Sequence, residues 1–252
     1  MEQNVFEAGQ QNFNLPHDIV SLPSGGIFYK SKKKSIKVGY LTASDENYLI
    51  GSSQSGRENI IMTLLRNKVY EHDLRPEELV EGDVEAILIY LRNTSFGPEY
   101  GMRLIDPKTN KVFEHTEILD EITIRQPKVQ PDSDGLYTMI LPRSGNTLKL
   151  RPLTFHDSLE LERMADQYPV GRIAPKITWR LNKLIHSVDG NEDRNFISQF
   201  VETLPIVDSK EIRTFMRENQ PSLDLSRRTI APSGEEVIFD IAFGVEFFRP
   251  FF

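Results

Sequence analysis

Apolar positions recur along the chain at two spacings, and their order predicts strands followed by helices. Residues 26–29 and 36–41 alternate in polarity on either side of a lysine-rich turn, which predicts a β-hairpin. Apolar side chains then recur about every 3.6 residues behind acidic capping residues, which predicts amphipathic helices. These helices are expected from about residue 44, over 58–69 and over 83–93.

A turn at residues 106–110 separates the extended stretches 100–105 and 111–114, which predicts a second hairpin. The stretch that follows has three proline-or-glycine breaks and few apolar residues, so it predicts a linker. The expected organisation is an extended N-terminal arm, a first α+β module, a linker and a second α+β module. Their bounds are residues 1–19, 20–124, 125–135 and 136–252.

The order of elements repeats after the linker. The matched segments are 22–23 with 141–142, 36–42 with 148–154, 58–69 with 177–188, and 83–92 with 208–217, and the closing hairpins are 100–114 and 228–239. The repeat predicts an α+β protein of two related modules, each with a β-hairpin or strand, three helices and a closing β-hairpin. Two unrelated halves that share common capping chemistry are the alternative.

Composition narrows the classes of function. The chain has no cysteine, which excludes disulfides, thiol nucleophiles and thiolate metal sites. A net charge of −7 argues against nucleic acid or an anionic membrane as a partner. We find no apolar run near the roughly 18–20 residues that a membrane span needs, and the N-terminus does not look like a secretory signal.

Motifs for catalysis are missing from the sequence. The five histidines are dispersed and none is spaced as a metal-ligand pair, and no phosphate-binding loop or nucleophile elbow occurs. The adjacent His156 and Asp157 could suggest an acid–base pair, but neighbouring helix residues do not face each other and Asp157 is placed to cap a helix. We therefore expect no enzyme activity and no catalytic, cofactor, metal or small-molecule site.

Three segments are candidates for binding other proteins. Four of the last six residues are phenylalanines, and burying each ring would contribute roughly 1.5–3 kcal/mol, so the tail packs either on its own core or into a neighbour. The arm is either a frayed terminus or a partner-binding strand, and the lysine-rich turn is either solvated or docks in an acidic groove. The candidate residues are Phe247, Phe248, Arg249, Phe251 and Phe252 in the tail, Phe13 and Leu15 in the arm, and Lys32, Lys33 and Lys34 in the turn.

Four short motifs occur in order. Residues 22–29 follow Leu-Pro-Ser-x-Gly-x-x-Tyr, 41–46 follow Leu-Thr-x-x-Asp-Glu, 92–100 follow Arg-x-x-Ser-x-Gly-x-x-Tyr, and 247–250 read Phe-Phe-Arg-Pro. In these motifs residues 20–252 resemble the T4-like phage baseplate hub and hub-assembly family.

The resemblance implies a structural component of a contractile-tail baseplate, at or near the hub, that binds other tail and baseplate proteins. The alternative that it implies is an assembly chaperone for the hub or the tape measure that is absent from the virion. The expected location is the virion tail baseplate, after synthesis in the host cytoplasm.

Overall fold

Helices and small antiparallel sheets alternate along the chain, which confirms the predicted α+β class. The computed structural model describes residues 16–51 and 57–248, which form seven α-helices and nine strands. The first half contains β1 His17–Ser21, β2 Ser35–Gly39, α1 Ala43–Gly51, α2 Arg57–Lys68, α3 Glu81–Phe96, β3 Glu99–Ile105 and β4 Val112–Ile118. The second contains β5 Tyr137–Ile140, β6 Thr147–Leu150, α4 Phe155–Asp166, α5 Lys176–Leu184, β7 Ile185–Val188, α6 Arg194–Thr203, α7 Ile206–Asn219, β8 Ser226–Ile230 and β9 Glu236–Asp240.

The predicted first hairpin is wrong in one strand. β2 pairs with β1, which begins at His17 inside the predicted arm, whereas residues 26–29 lie in consecutive turns. Gly25 and Gly26 have φ angles of 59° and 75°, which side-chain-bearing residues rarely adopt. A Cβ on Gly26 would lie 2.1 Å from the carbonyl oxygen of Lys33. The chain therefore turns here because glycine allows both the backbone angles and the close approach.

The second half differs from its prediction in two elements. Residues 185–188, predicted as the end of a helix, form β7, the third strand of the β5–β6–β7 sheet. Pairing with β6 stabilises this segment as a strand, and its β-branched residues Ile185 and Val188 favour an extended backbone. The additional helix α6 begins where the Asp193 carboxylate accepts a hydrogen bond from the backbone N–H of Phe196, so this half has four helices rather than three.

Strand registers agree with the repeat that the sequence suggests. Val20 pairs with Ile36 in the first half, and Met139 pairs with Leu148 in the second. These are the partners that the matched segments 22–23 with 141–142 and 36–42 with 148–154 require. The shared register supports the hypothesis of an internal duplication, which stays a hypothesis.

Buried side chains form two hydrophobic clusters. The buried members of the second cluster all lie within residues 137–216, and the partly buried Phe28 of the first half packs against them. The first combines residues 20–119 with a group from the end of the chain: Leu223, Ile241, Phe243, Phe247 and Phe248. The C-terminal segment thus packs across the predicted module boundary and completes the first core.

The predicted linker also packs on the second half. Ile124 forms an antiparallel bridge with Leu223, and the backbone N–H of Arg125 donates to the Ser222 carbonyl at 3.0 Å. The backbone N–H of Val129 donates to the Asn219 side chain at the end of α7, at 2.7 Å. These contacts hold the start of the linker against the C-terminal end of α7 and the segment that connects α7 to β8.

Candidate interaction surfaces

The loop after β1 is fastened to the first turn of α3 by a buried carboxylate. The backbone N–H and hydroxyl of Ser24 donate to the two oxygens of Asp83, at 2.8 and 2.6 Å. The Tyr29 hydroxyl donates to Asp83 and accepts the backbone N–H of Val80 at 3.0 Å. Burial raises the pKa of Asp83, and the hydrogen bonds from Ser24 and Tyr29 oppose that rise. The Ser-x-Gly-x-x-Tyr pattern is therefore explained by structure, because both polar side chains meet at Asp83.

An equivalent carboxylate holds the second half. Asp208 lies in the first turn of α7 and is fully buried. Its oxygens accept the backbone N–H groups of Arg143 and Ser144, at 2.8 and 3.0 Å. The loop after β5 is thus docked onto α7 as the loop after β1 is docked onto α3.

Asp157 takes part in capping α4, as the sequence predicts, but Thr154 is the N-cap residue and Asp157, at the third helical position, completes the capping box. Its backbone N–H donates to the Thr154 hydroxyl, and its carboxylate accepts the Thr154 backbone N–H at 3.1 Å. Arg151 forms an ion pair with the same carboxylate at 2.6 Å. The adjacent His156 is exposed, so Asp157 is engaged by the cap and the arginine.

Arg92 anchors the C-terminal segment within the first core. Its side chain is 1% exposed, and it donates to the carbonyl oxygens of Gly97 and Glu99, each at 2.9 Å. Burial lowers the pKa of Arg92. The guanidinium carbon lies 5.5, 5.4 and 5.9 Å from the ring centroids of Phe96, Tyr100 and Phe247. These cation–π distances explain how a buried arginine is stabilised beside the tail.

The described part of the tail packs on its own chain. Phe247 and Phe248 are 0% and 2% exposed, and Phe247 contacts the rings of Phe243, Phe248 and Tyr100 at centroid distances of 4.9, 5.2 and 5.2 Å. Of the two alternatives for the tail, this favours closure of its own core for these two residues. The remaining tail candidates, Arg249, Phe251 and Phe252, lie outside the described residues, as do Phe13 and Leu15 of the arm.

The lysine-rich turn is partly engaged within the chain. Lys32 donates to the carbonyl oxygen of Ile27 at 2.7 Å and to that of Ser133 at 3.2 Å. Lys33 forms ion pairs with Glu71 and Asp73. Lys34 is exposed. Of the three lysines predicted to bind a partner, the side chain of Lys34 makes no such contact within the part of the chain that the structure describes.

The two closing hairpins pack against each other. The rings of His115 and Phe239 are 5.3 Å apart, and Arg227 forms an ion pair with Glu117 at 3.1 Å. At the hairpin tips, the Ser233 hydroxyl donates to Asp106 at 2.8 Å. Contacts between the closing hairpins therefore join the two halves of the chain.

Comparison with protein-family models matches residues 26–248 to the family described as T4 bacteriophage base plate protein. The chain belongs to the T4 base plate family. The matched range includes Asp83, Arg92 and the buried part of the C-terminal segment, so the family region contains the second core and all of the first core except Val20 and Leu22. No curated protein and no solved structure matches the chain.

One small, mainly apolar opening of this base plate protein lies between its two halves. A cavity of about 150 Å³ lies between α3 and α4 and is lined by Val84, Leu88, Phe155 and the carboxylate-bearing Glu85. Burial raises the pKa of Glu85 to about 7. In the described residues, no group of three or more histidine or acidic side chains is arranged to hold a metal ion.

No helix in residues 16–51 and 57–248 has both the length and the apolar character of a membrane span.

Sequence reasoning missed one prominent exposed feature of the base plate protein. Residues 169–177, which we call the 169–177 loop, comprise the end of the connection from α4 to α5 and the first two residues of α5. They expose Val170 completely, Ile173 at 94% and Ile177 at 52%. Between Pro169 and Pro175 the apolar residues Val170, Ile173 and Ala174 show no strand or helix periodicity, which is typical of a loop but does not indicate which side chains face solvent. Groups of exposed apolar side chains are typical of surfaces that bind a partner.

Proposed function

We propose that this chain is a structural component of a contractile-tail phage baseplate, at or near its hub, that acts by binding other tail proteins. Membership of the T4 base plate family carries the proposal. The interior supports a binding role over a catalytic one, because Asp83, Asp157 and Arg92 serve docking, capping and tail anchoring. On this proposal the chain has no enzymatic activity.

The proposed partners are other baseplate proteins, and the proposed location is the virion tail after synthesis in the host cytoplasm. The net charge of −7 disfavours long-range attraction to nucleic acid or anionic lipid. Exposed apolar residues in the 169–177 loop, by contrast, are suited to burial against another protein.

The test is quantitative mass spectrometry of purified virions and of isolated baseplates. A structural component is expected at a fixed ratio to other baseplate proteins in both preparations. Presence in infected-cell extracts together with absence from mature particles would reject the structural role and identify an assembly factor instead. Particles purified in parallel from a phage that lacks this protein serve as the negative control.

A further inference from the structure

We propose that the 169–177 loop is a docking element that inserts Val170 and Ile173 into an apolar recess, rimmed by carboxylates, on another baseplate protein. The inference rests on the proposed function and names the surface and the chemistry of the partner.

The loop presents its apolar side chains in a defined conformation. The backbone N–H of Arg172 donates to the carbonyl oxygen of Pro169 at 3.1 Å, and Gly171 has a φ angle of 84°. This geometry is a tight turn with glycine at the position that needs positive φ, and it places Val170 at the tip. A second turn follows, in which the backbone N–H of Lys176 donates to Ala174 at 2.8 Å. Two turns with flanking prolines reduce the conformational entropy lost when the loop is bound.

The base of the loop is tied to α5. The ring of Tyr168 meets the ring of Trp179 edge-on, with centroids 5.6 Å apart. Ile173, which lies between these two aromatic residues in the sequence, is 94% exposed. The loop is thus anchored at its base and open at its tip, which is the arrangement of a preformed hydrophobic anchor.

The cations near the loop indicate which charges should surround the recess on the partner. Residues 167–188 contain no aspartate or glutamate, although the whole chain has a net charge of −7. Two of the cations in this stretch are paired, because Lys183 lies 2.6 Å from Glu160 and Arg180 lies 3.7 Å from Glu81. Arg172 and Lys176 form no ion pair within residues 16–51 and 57–248. A recess bordered by carboxylates would satisfy these cations while it buries the apolar tips.

A protein recess fits these features better than an anionic membrane. The loop offers only two uncommitted cations beside its apolar tips, whereas electrostatic membrane anchoring uses larger basic clusters. The net negative charge of the whole chain also opposes approach to an anionic surface. Base plate family membership supplies protein neighbours.

The deciding experiment places a photo-reactive residue at the loop in the full chain. Ile173→p-benzoylphenylalanine is expressed during infection by a phage that lacks its own copy, and cross-linked products are identified by mass spectrometry. The matched control is the same residue at Ile140, which is 68% exposed on β5 of the same half. We expect a cross-link from position 173 to one other baseplate protein, with at least about tenfold lower yield from position 140.

Two variants test the chemistry of the contact. Ile173→Asp and the double variant Arg172→Glu, Lys176→Glu are expected to reduce co-purification with the cross-linked protein by about tenfold or more, the effect of losing an interface anchor. Ile140→Asp should change it less than about twofold, and all variants should keep the wild-type melting temperature because the side chains are exposed.

Each other result would overturn the inference. Cross-links to a second copy of this chain would replace the proposed partner with self-association, and cross-links to lipid would replace it with a membrane. Equal yields at the two positions, or full co-purification of Ile173→Asp, would remove the loop as a docking element. The proposed function fails separately, if virions lack the protein while cross-links to a baseplate protein form in infected cells.

Discussion

The two halves dock an equivalent helix with the same carboxylate but with different donors. Asp83 accepts from the side chains of Ser24 and Tyr29 and from one backbone N–H. Asp208 accepts from two backbone N–H groups, of Arg143 and Ser144, on an exposed turn. A buried carboxylate can therefore receive its hydrogen bonds in two ways. In the first half the donors include particular side chains, and in the second half they are backbone N–H groups placed by the path of the chain.

The halves also differ in how their cores are completed. The second core is built from residues 137–216, whereas the first core needs Phe247 and Phe248 from the far end of the chain. Because sequence-distant segments share the first core, loss of the terminal segment should affect the whole molecule.

The largest effect is expected for Phe247→Ala. Phe247 is 0% exposed and contacts three aromatic rings and the Arg92 guanidinium. Truncation of a buried phenylalanine leaves a cavity and costs about 3–5 kcal/mol of unfolding free energy. Urea unfolding followed by circular dichroism measures the loss.

The control for this variant is Phe196→Ala, because Phe196 is 41% exposed on α6. It should cost no more than about 1 kcal/mol. Equal effects of the two substitutions would show that the C-terminal segment does not complete the first core.

The second prediction compares the two docking carboxylates directly. Asp83→Ala leaves the Ser24 and Tyr29 hydroxyls buried without their acceptor, and should cost about 3 kcal/mol. Asp208→Ala leaves two backbone N–H groups on a turn whose residues are exposed, so water can replace the carboxylate and the cost should be about 1 kcal/mol. Thermal and urea unfolding of both variants give the difference; a larger loss for Asp208→Ala would reverse the assignment of side-chain and backbone dependence.

Local signals predicted much of this architecture. The turn at 106–110 predicted the β3–β4 hairpin, and the position of Asp157 predicted the cap on α4. Both rest on contacts between residues a few positions apart, which a sequence pattern records directly.

Long-range contacts account for what the sequence did not predict. Residues 26–29 alternate like a strand, but their conformation is set by Tyr29 reaching Asp83, 54 positions away. The sequence also does not determine where Phe247 packs, because an apolar terminus has the same composition whether it packs on its own core or on a neighbour. The exposure of Ile173 depends on which face of the fold its loop occupies, and no local pattern encodes that.

The third prediction concerns Arg92 and its counterpart in the matched segments, Arg217. Arg92→Lys removes the planar fork that reaches two carbonyl oxygens and faces three rings, and should cost about 2 kcal/mol. Arg217 is exposed, so Arg217→Lys should change the unfolding free energy by less than about 0.5 kcal/mol. Denaturant unfolding of the pair checks the contrast, and equal costs would mean that the buried cation–π contacts contribute nothing specific.

The smallest effect is expected at Glu85, whose counterpart in the matched segments is the exposed Lys210. Burial raises the pKa of Glu85 to about 7, nearby Glu81 and Asp83 add to the rise, and Arg125 opposes it. The folded state therefore binds this proton more tightly than the unfolded state, so the glutamate lowers stability as pH rises from about 4.5 to about 7. Glu85→Gln keeps an oxygen that can accept the Leu223 backbone N–H and removes the charge.

The Glu85→Gln variant should match the wild type near pH 4.5 and exceed it by roughly 1–2 kcal/mol at pH 8. This is less than the full pKa shift would give, because the side chain of Glu85 is only partly buried and solvent screens its charge. Urea unfolding of both proteins across this range measures the difference, in which titration of all other groups cancels to first order. Lys210→Gln is the control and should show a difference that is small and independent of pH, because its side chain is exposed on α7. A Glu85→Gln difference that stays constant from pH 4.5 to 8 would mean that the carboxylate ionises freely in the folded protein, and that the contact between the halves around this cavity is open to water.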